Sequence, residues 1–190
     1  MRKVSGELKS AGLEPALFAM WIGIGSIVMM FAAFTSAYVV RQAQGNWLEF
    51  RLPEWFFLST VVILLSSLTM HYSYKQFLKG NTPVYRSLYL ATFVLGLLFV
   101  VTQYLGWNAM QSGGVELTGN PSGSFVYVIS GVHVLHVLGG MAALAVGVAK
   151  SWLLPHRITK KRITRFKMMA HYWHFVDVLW IYLLLFFMFQ

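Results

Sequence analysis

Cysteine is absent, and with it go disulfides, iron–sulfur clusters, thiolate zinc sites and covalent c-type haem attachment. Acidic residues are nearly as scarce, six in 190, and charged residues of all kinds make up 11% of the chain against 57% hydrophobic. A soluble domain carries about 25% charged residues, so a soluble enzyme is excluded and the chain belongs in a membrane. No polar stretch is long enough for an extramembrane domain with a core of its own. Only five prolines occur, at 15, 53, 83, 121 and 155, and none interrupts a long apolar run. The net charge of +9 does not make a nucleic-acid surface, because Lys and Arg sit in loops rather than on a face with exposed aromatics.

What is there is a set of five runs, each about 20 residues or longer and free of Lys, Arg and Glu: 16–40, 55–74, 87–106, 124–149 and 168–189. They predict an all-α integral membrane bundle of five transmembrane helices, one membrane domain over residues 1–190. Thirteen of the fifteen basic residues fall on one side, in the N-terminal tail (Arg2, Lys3, Lys9) and after spans 2 and 4, while the other side has Arg41 and Arg51. By the positive-inside rule the N-terminus is cytoplasmic and the chain end at Gln190 lies opposite. The basic start MRKVSGELKS resembles a signal peptide. Span 1 nonetheless runs about 25 residues and ends in Tyr38, Val39, Val40 and Arg41 without a small-x-small site, so it reads as a retained helix. Trp55, Trp107 and Trp152 sit at span ends, as headgroup-level anchors do. No low-complexity segment, obvious repeat or matched pair of broken spans is visible, which disfavours a transporter built on inverted repeats.

Asp177 is the one Asp, Glu, Lys or Arg inside a span, and at about 1.5 Å per residue it lies near mid-bilayer. It needs a partner or a proton. The packing reading is a hydrogen bond to a neighbouring His, Tyr or Trp; the functional readings are proton carriage and lipid contact. His171, His174 and Asp177 step by three along one helix stripe, and span 4 carries a second pair, His133 and His136, in SGVHVLHVLGG. The two pairs face one antiparallel interface, although helix rise places His136 about 20 Å deep and His174 about 9 Å deep. Four histidines and an Asp would suffice for a metal site if they converged, but HxxH within a helix is weak evidence, and hydrogen-bonded core histidines are the simpler reading. Gly139, Ala143 and Gly147, and Ala32, Ala33, Ser36 and Ala37, mark faces for close helix packing or for docking another membrane protein. His71 and Tyr72 close span 2 as interface anchors, with lipid phosphate contact as the alternative.

The segment HYWHFVDVLWIYLLLFF (171–187) resembles the closing helix of subunit III of haem-copper respiratory oxidases, whose pattern is close to YWHFVDVVW. SGVHVLHVLGG (130–140) is similar to that family's TGxHGxHVxxG helix, with Ser130 for Thr and Val134 for the internal Gly. LGLLFVVTQYLGW (95–107) and SIVMMFAAFTSAYVVR (26–41) resemble two further family helices. Two departures each remove a carboxylate: Ile27 stands where the family commonly has a buried Glu, and Gly106 where its Glu-Trp pair has Glu. Roles of those acids do not transfer. Five spans are similar to the last five of the family's seven.

The resemblance implies a non-catalytic subunit of a proton-pumping terminal oxidase in aerobic respiration. Such a chain docks directly on subunit I, with subunit II and other respiratory subunits as further partners. It would hold structural phospholipids and support proton uptake. It would bind no redox cofactor or metal itself; haem and copper would sit in the partners. His133, His136, His171, His174 and Asp177 are the candidate polar network or lipid and subunit contacts. The expected location is a bacterial plasma (inner) membrane, favoured by short length and no transit peptide. Alternatives are a quinol oxidase subunit III, the similar accessory protein of nitric oxide reductase and, from another class, an autonomous proton or ion carrier using Asp177 and the histidines.

Overall fold

The computed structural model describes residues 15–153 and 158–189. The basic tail, Pro155, Arg157 and Gln190 lie outside them. Five helices follow one another: α1 (Pro15–Gln42), α2 (Glu54–Leu78), α3 (Thr82–Ser112), α4 (Pro121–Leu153) and α5 (Lys160–Phe189). All five are long and apolar enough to cross a membrane, and no strand occurs among the described residues. Each of the last four begins earlier or ends later than its apolar run. Helices of 25 to 33 residues are about 37–50 Å long against a hydrocarbon core of about 30 Å, so good helix formers carry the ends past the lipid. Thus α5 starts at Lys160, its first two turns holding Lys160, Lys161, Arg162, Arg165 and Lys167.

Helices α2 to α5 close into a ring, each packed on its two neighbours, with α2 against α5 completing it. Helix α1 lies outside the ring and touches α4 and α5. The tightest seam is α2 with α3. Buried positions on α2 are Phe56, Ser59, Ile63, Ser66, Met70, Ser73 and Phe77, alternating steps of three and four. On α3 the matching set runs Tyr85, Tyr89, Thr92, Gly96, Phe99, Gln103, Gly106 and Met110. This is a heptad repeat, the spacing that lets two helices coil about each other, and it went unseen in the sequence because serines fill three of its seven α2 positions. Those serines are bonded: Gln103 Nε2 donates to Ser59 Oγ at 2.9 Å and Ser73 Oγ donates to the Tyr85 carbonyl at 2.9 Å.

Glycine stops both helices of this hairpin. Gly80 (φ +78°) and Gly114 (φ +82°) adopt the left-handed conformation. Asn81 N bonds Gln76 O and Val115 N bonds Met110 O, the six-to-one bonds of a Schellman stop. At the opposite end of the bundle from the basic loops, Asn120 ties down the loop between α1 and α2. Its Oδ1 accepts from the amides of Leu48 (3.3 Å) and Ser122 (3.0 Å), and its Nδ2 donates to the Asn46 carbonyl at 3.1 Å.

Of the two readings of the small-residue faces, packing within this bundle is seen only at Gly147. Ala32, Ala33, Ser36 and Ala37 are exposed on the outside of α1. Gly139 and Ala143 line a cleft between α4 and α5, and of that stripe Gly147 alone meets a side chain, Tyr89. Trp107 also departs from the anchor role: its Nε1 donates to Ser130 Oγ at 3.0 Å, into the bundle rather than toward headgroups.

Candidate functional site

The four histidines and Asp177 separate into three surroundings. His133 is fully buried in a box of rings: Trp180 at 5.3 Å between centroids, Phe99 at 5.8 Å and Phe31 at 6.3 Å. Neither of its ring nitrogens has a hydrogen-bond partner. His136, one turn on, turns its Nδ1 back to the Val132 carbonyl at 2.7 Å and its ring toward Phe31. His171 does the same with the Lys167 carbonyl, 2.7 Å away, and meets Trp21 of α1 edge-on. His174 faces the other way, toward α2, where its Nδ1 lies 2.6 Å from Ser67 Oγ and its ring is 6.1 Å from that of His71.

The two histidine pairs do not meet, in keeping with the different depths read from helix rise. His133 and His136 lie deeper than His171 and His174 by roughly two helical turns, and the α5 pair diverges to opposite neighbours, one to α1 and one to α2. Among the described residues no three His, Asp or Glu side chains come close enough to hold a metal ion. Three of the four histidines carry the hydrogen bonds expected of core histidines; His133 does not.

Asp177 is 2% exposed, and neither carboxyl oxygen has a donor. The expected bond to a neighbouring His, Tyr or Trp is therefore missing. The ring nitrogens that flank it on α5 are already engaged with α2: Trp173 Nε1 donates to Ser66 Oγ at 2.7 Å and Trp180 Nε1 to Thr60 Oγ1 at 2.9 Å. Ser67 stands beside the carboxyl without a hydrogen bond to it, its short bond being the one to His174. So the seam between α2 and α5 gathers His71, Ser67, His174 and Asp177. Sequence reasoning had two of these as site residues and His71 only as an anchor, and it missed Ser67; equal distance from the basic end is the signal that would have paired Ser67 with His174.

A second feature lies at the basic end. Helices α4 and α5 splay there and leave a cleft of about 770 Å³. Its floor is apolar and aromatic, with Met20, Tyr89, Phe166 and Tyr172 beside the Gly139, Gly140 and Gly147 backbone. Lys150, Arg162 and Arg165 stand among its walls, and among the described residues no acidic side chain lines it. Two of these glycines are required by neighbouring rings: a Cβ on Gly140 would lie 2.9 Å from Tyr172 Cε1 and one on Gly147 2.9 Å from Tyr89 Cζ, whereas Gly139 has nothing within 4 Å. At the positions of the missing family carboxylates, Gly106 makes room for the ring of Phe56, with Cε1 3.3 Å from where a Cβ would be, and Ile27 packs on the core.

Five spanning helices, a polar seam and an apolar cleft rimmed by cations define a multi-pass membrane protein. The family model of cytochrome c oxidase subunit III matches residues 46–190, and the chain belongs to that family, as a non-catalytic subunit III of a terminal oxidase. The match takes in α2 to α5; the similar segment at 26–41 precedes it. Relatives described as probable cytochrome c oxidase subunit 3 in Mycobacterium bovis and Mycobacterium tuberculosis are 30% identical over 166 residues, covering 84% of this chain and 80% of theirs. The cytochrome c oxidase subunit 3 of Corynebacterium diphtheriae is 27% identical over 174 residues, with 84% and 83% covered.

Proposed function

We propose that this subunit III docks on subunit I of a proton-pumping, oxygen-reducing oxidase in a bacterial inner membrane, with subunit II nearby and the basic end facing the cytoplasm. The single observation that carries this reading is the family match over 46–190, with relatives of nearly full-length coverage in bacteria. Haem and copper belong to the partners. This chain contributes stability, bound lipid and support for proton uptake. The cleft supports the lipid role: about 770 Å³ accepts acyl chains, and Lys150, Arg162 and Arg165 suit an anionic headgroup.

The test is mild-detergent purification through a tag on this chain, with mass spectrometry of partners and a reduced-minus-oxidised optical spectrum. Haem bands, a large polytopic subunit and oxygen uptake are expected. Nitric oxide reduction by the purified complex would assign the chain to that enzyme instead, and quinol-driven activity without cytochrome c would change the donor. A colourless chain recovered alone, where other respiratory complexes stay intact, overturns the docking reading and favours a carrier acting by itself.

A further inference from the structure

We propose that Asp177 is a proton-binding site, loaded from the basic end of the membrane along His71, His174 and Ser67. The proposal goes beyond the docking role and needs no particular partner or electron donor.

A carboxyl at this depth with no donor is unfavourable when charged and gains little when neutral, since each buried polar atom without a partner costs free energy. Along the seam between α2 and α5 the neighbouring polar groups are satisfied. Trp173 bonds Ser66, Trp180 bonds Thr60, and Ser67 bonds His174. Asp177 sits among them with both oxygens unpaired. Asn would fill the same volume and bring donors of its own. What a carboxyl does that an amide cannot is take up and release a proton.

Geometry supplies the route. His71 is exposed on α2, His174 is half-buried on α5, and Asp177 is closed off from the surface. Measured by helix rise from Lys75 on α2 and Lys167 on α5, His71 lies about 6 Å in, His174 about 10 Å, Ser67 about 12 Å and Asp177 about 15 Å. The four groups therefore descend in order along one seam. The His71 and His174 ring centroids are 6.1 Å apart, and Ser67 Oγ is 2.6 Å from His174 Nδ1.

Each hop forms one bond to hydrogen and breaks another. Water at the basic end gives a proton to the outer nitrogen of His174, directly or through His71. The Nδ1 proton passes to Ser67 Oγ, and the Ser67 hydroxyl proton reaches Asp177 after a side-chain rotation brings the two together, since neither carboxyl oxygen has a donor in this structure; the reverse sequence empties the site. Water is the only source and sink. The titratable groups facing this seam are His71 from α2 and His174 from α5, while His171 of α5 is turned away from it. Helix α1 brings Trp21 to His171, and the α4 histidines are turned to Phe31 and Trp180.

Infrared difference spectroscopy on membranes holding the assembled complex, moved from H₂O to D₂O, tests this. A carboxylic-acid carbonyl band is expected that shifts in D₂O and is absent from Asp177→Asn. Ser67→Ala and His174→Leu keep the carboxyl and should slow the shift about tenfold or more. These two variants report on access even where Asp177→Asn does not assemble. Absence of such a band in the native complex, its survival in Asp177→Asn, or exchange in both access variants at the native rate overturns the proposal. None of these results bears on which subunits co-purify, so the docking reading stands or falls separately.

Discussion

Adding a single methyl group at Gly96 tests how the ring of helices is locked. A Cβ there would lie 3.0 Å from Cη2 and 3.1 Å from Cζ2 of Trp173, and 3.5 Å from Met141 Cγ. Comfortable carbon contacts are about 3.5–4.0 Å, so the indole has to move by roughly half an ångström. It is poorly placed to do so, being fully buried and bonded through Nε1 to Ser66 Oγ at 2.7 Å. Gly96→Ala is expected to destabilise the bundle by about 1–3 kcal/mol, as overpacking does. Trp173→Phe alone should cost about 1–3 kcal/mol, from a small cavity and an unpaired Ser66 hydroxyl. Together the two should cost less than their sum by at least about 1 kcal/mol, because the smaller ring vacates the space that the methyl enters. The assay is unfolding of the purified protein in mixed micelles by added SDS, followed by circular dichroism. Gly23→Ala and Gly25→Ala, where nothing lies within 4 Å, serve as silent controls. Additivity of the two changes within about 0.5 kcal/mol, or a neutral Gly96→Ala, would refute the packing argument.

Asp177→Val is expected to leave recovery and thermal midpoint of the complex unchanged or raised, since the carboxyl makes no bond to lose; this reverses what a bonded Asp177 would imply, and collapse of the complex would show that a partner group pairs with it. Replacing Lys150, Arg162 and Arg165 by Gln should strip anionic phospholipid from the purified complex while sparing zwitterionic lipid, each charge contributing about 1 kcal/mol, with lipid mass spectrometry as the readout. Asn120→Ala should cost about 1–2 kcal/mol and open the loop over residues 43–53 to protease, because it removes the clamp on Asn46, Leu48 and Ser122 together; unchanged cleavage kinetics would count against that clamp.

The five helices were legible because lipid imposes one plain rule, long uncharged runs, and each run obeys it. Their ends were not, since Lys160 to Lys167 continue the α5 helix in water, where charge no longer argues against helix. Residue identity pointed to Asp177 and the histidines, but their surroundings depend on which face each one turns. His171 and His174 are three residues apart, and that angular step sends one to α1 and the other to α2. Ser67 and the buried serines of α2 were hidden for a related reason. Hydropathy ranks a serine as weakly polar wherever it lies, whereas its importance here comes from the Trp, His or Gln opposite. The glycine stripe on α4 left its readings open, because the spacing that suits a helix partner suits an open cleft lined by tyrosine rings equally well.

The position of α1 outside the ring bears on how the chain is made. Its neighbours, α4 and α5, come after α2 and α3 in the chain, so α1 has to wait in lipid while two other spans are made before either partner. A helix in that position cannot rely on contacts for its stability, and α1 has the highest mean hydropathy of the five and the smallest buried share. Helix α2 is the opposite case, the least hydropathic and the one threaded with serines, yet its partner α3 follows after a three-residue turn and accepts its polar edge at once. The order of polarity along the chain thus matches the order in which partners arrive: spans that must stand alone are lipid-like, and spans that are met immediately can carry hydroxyls.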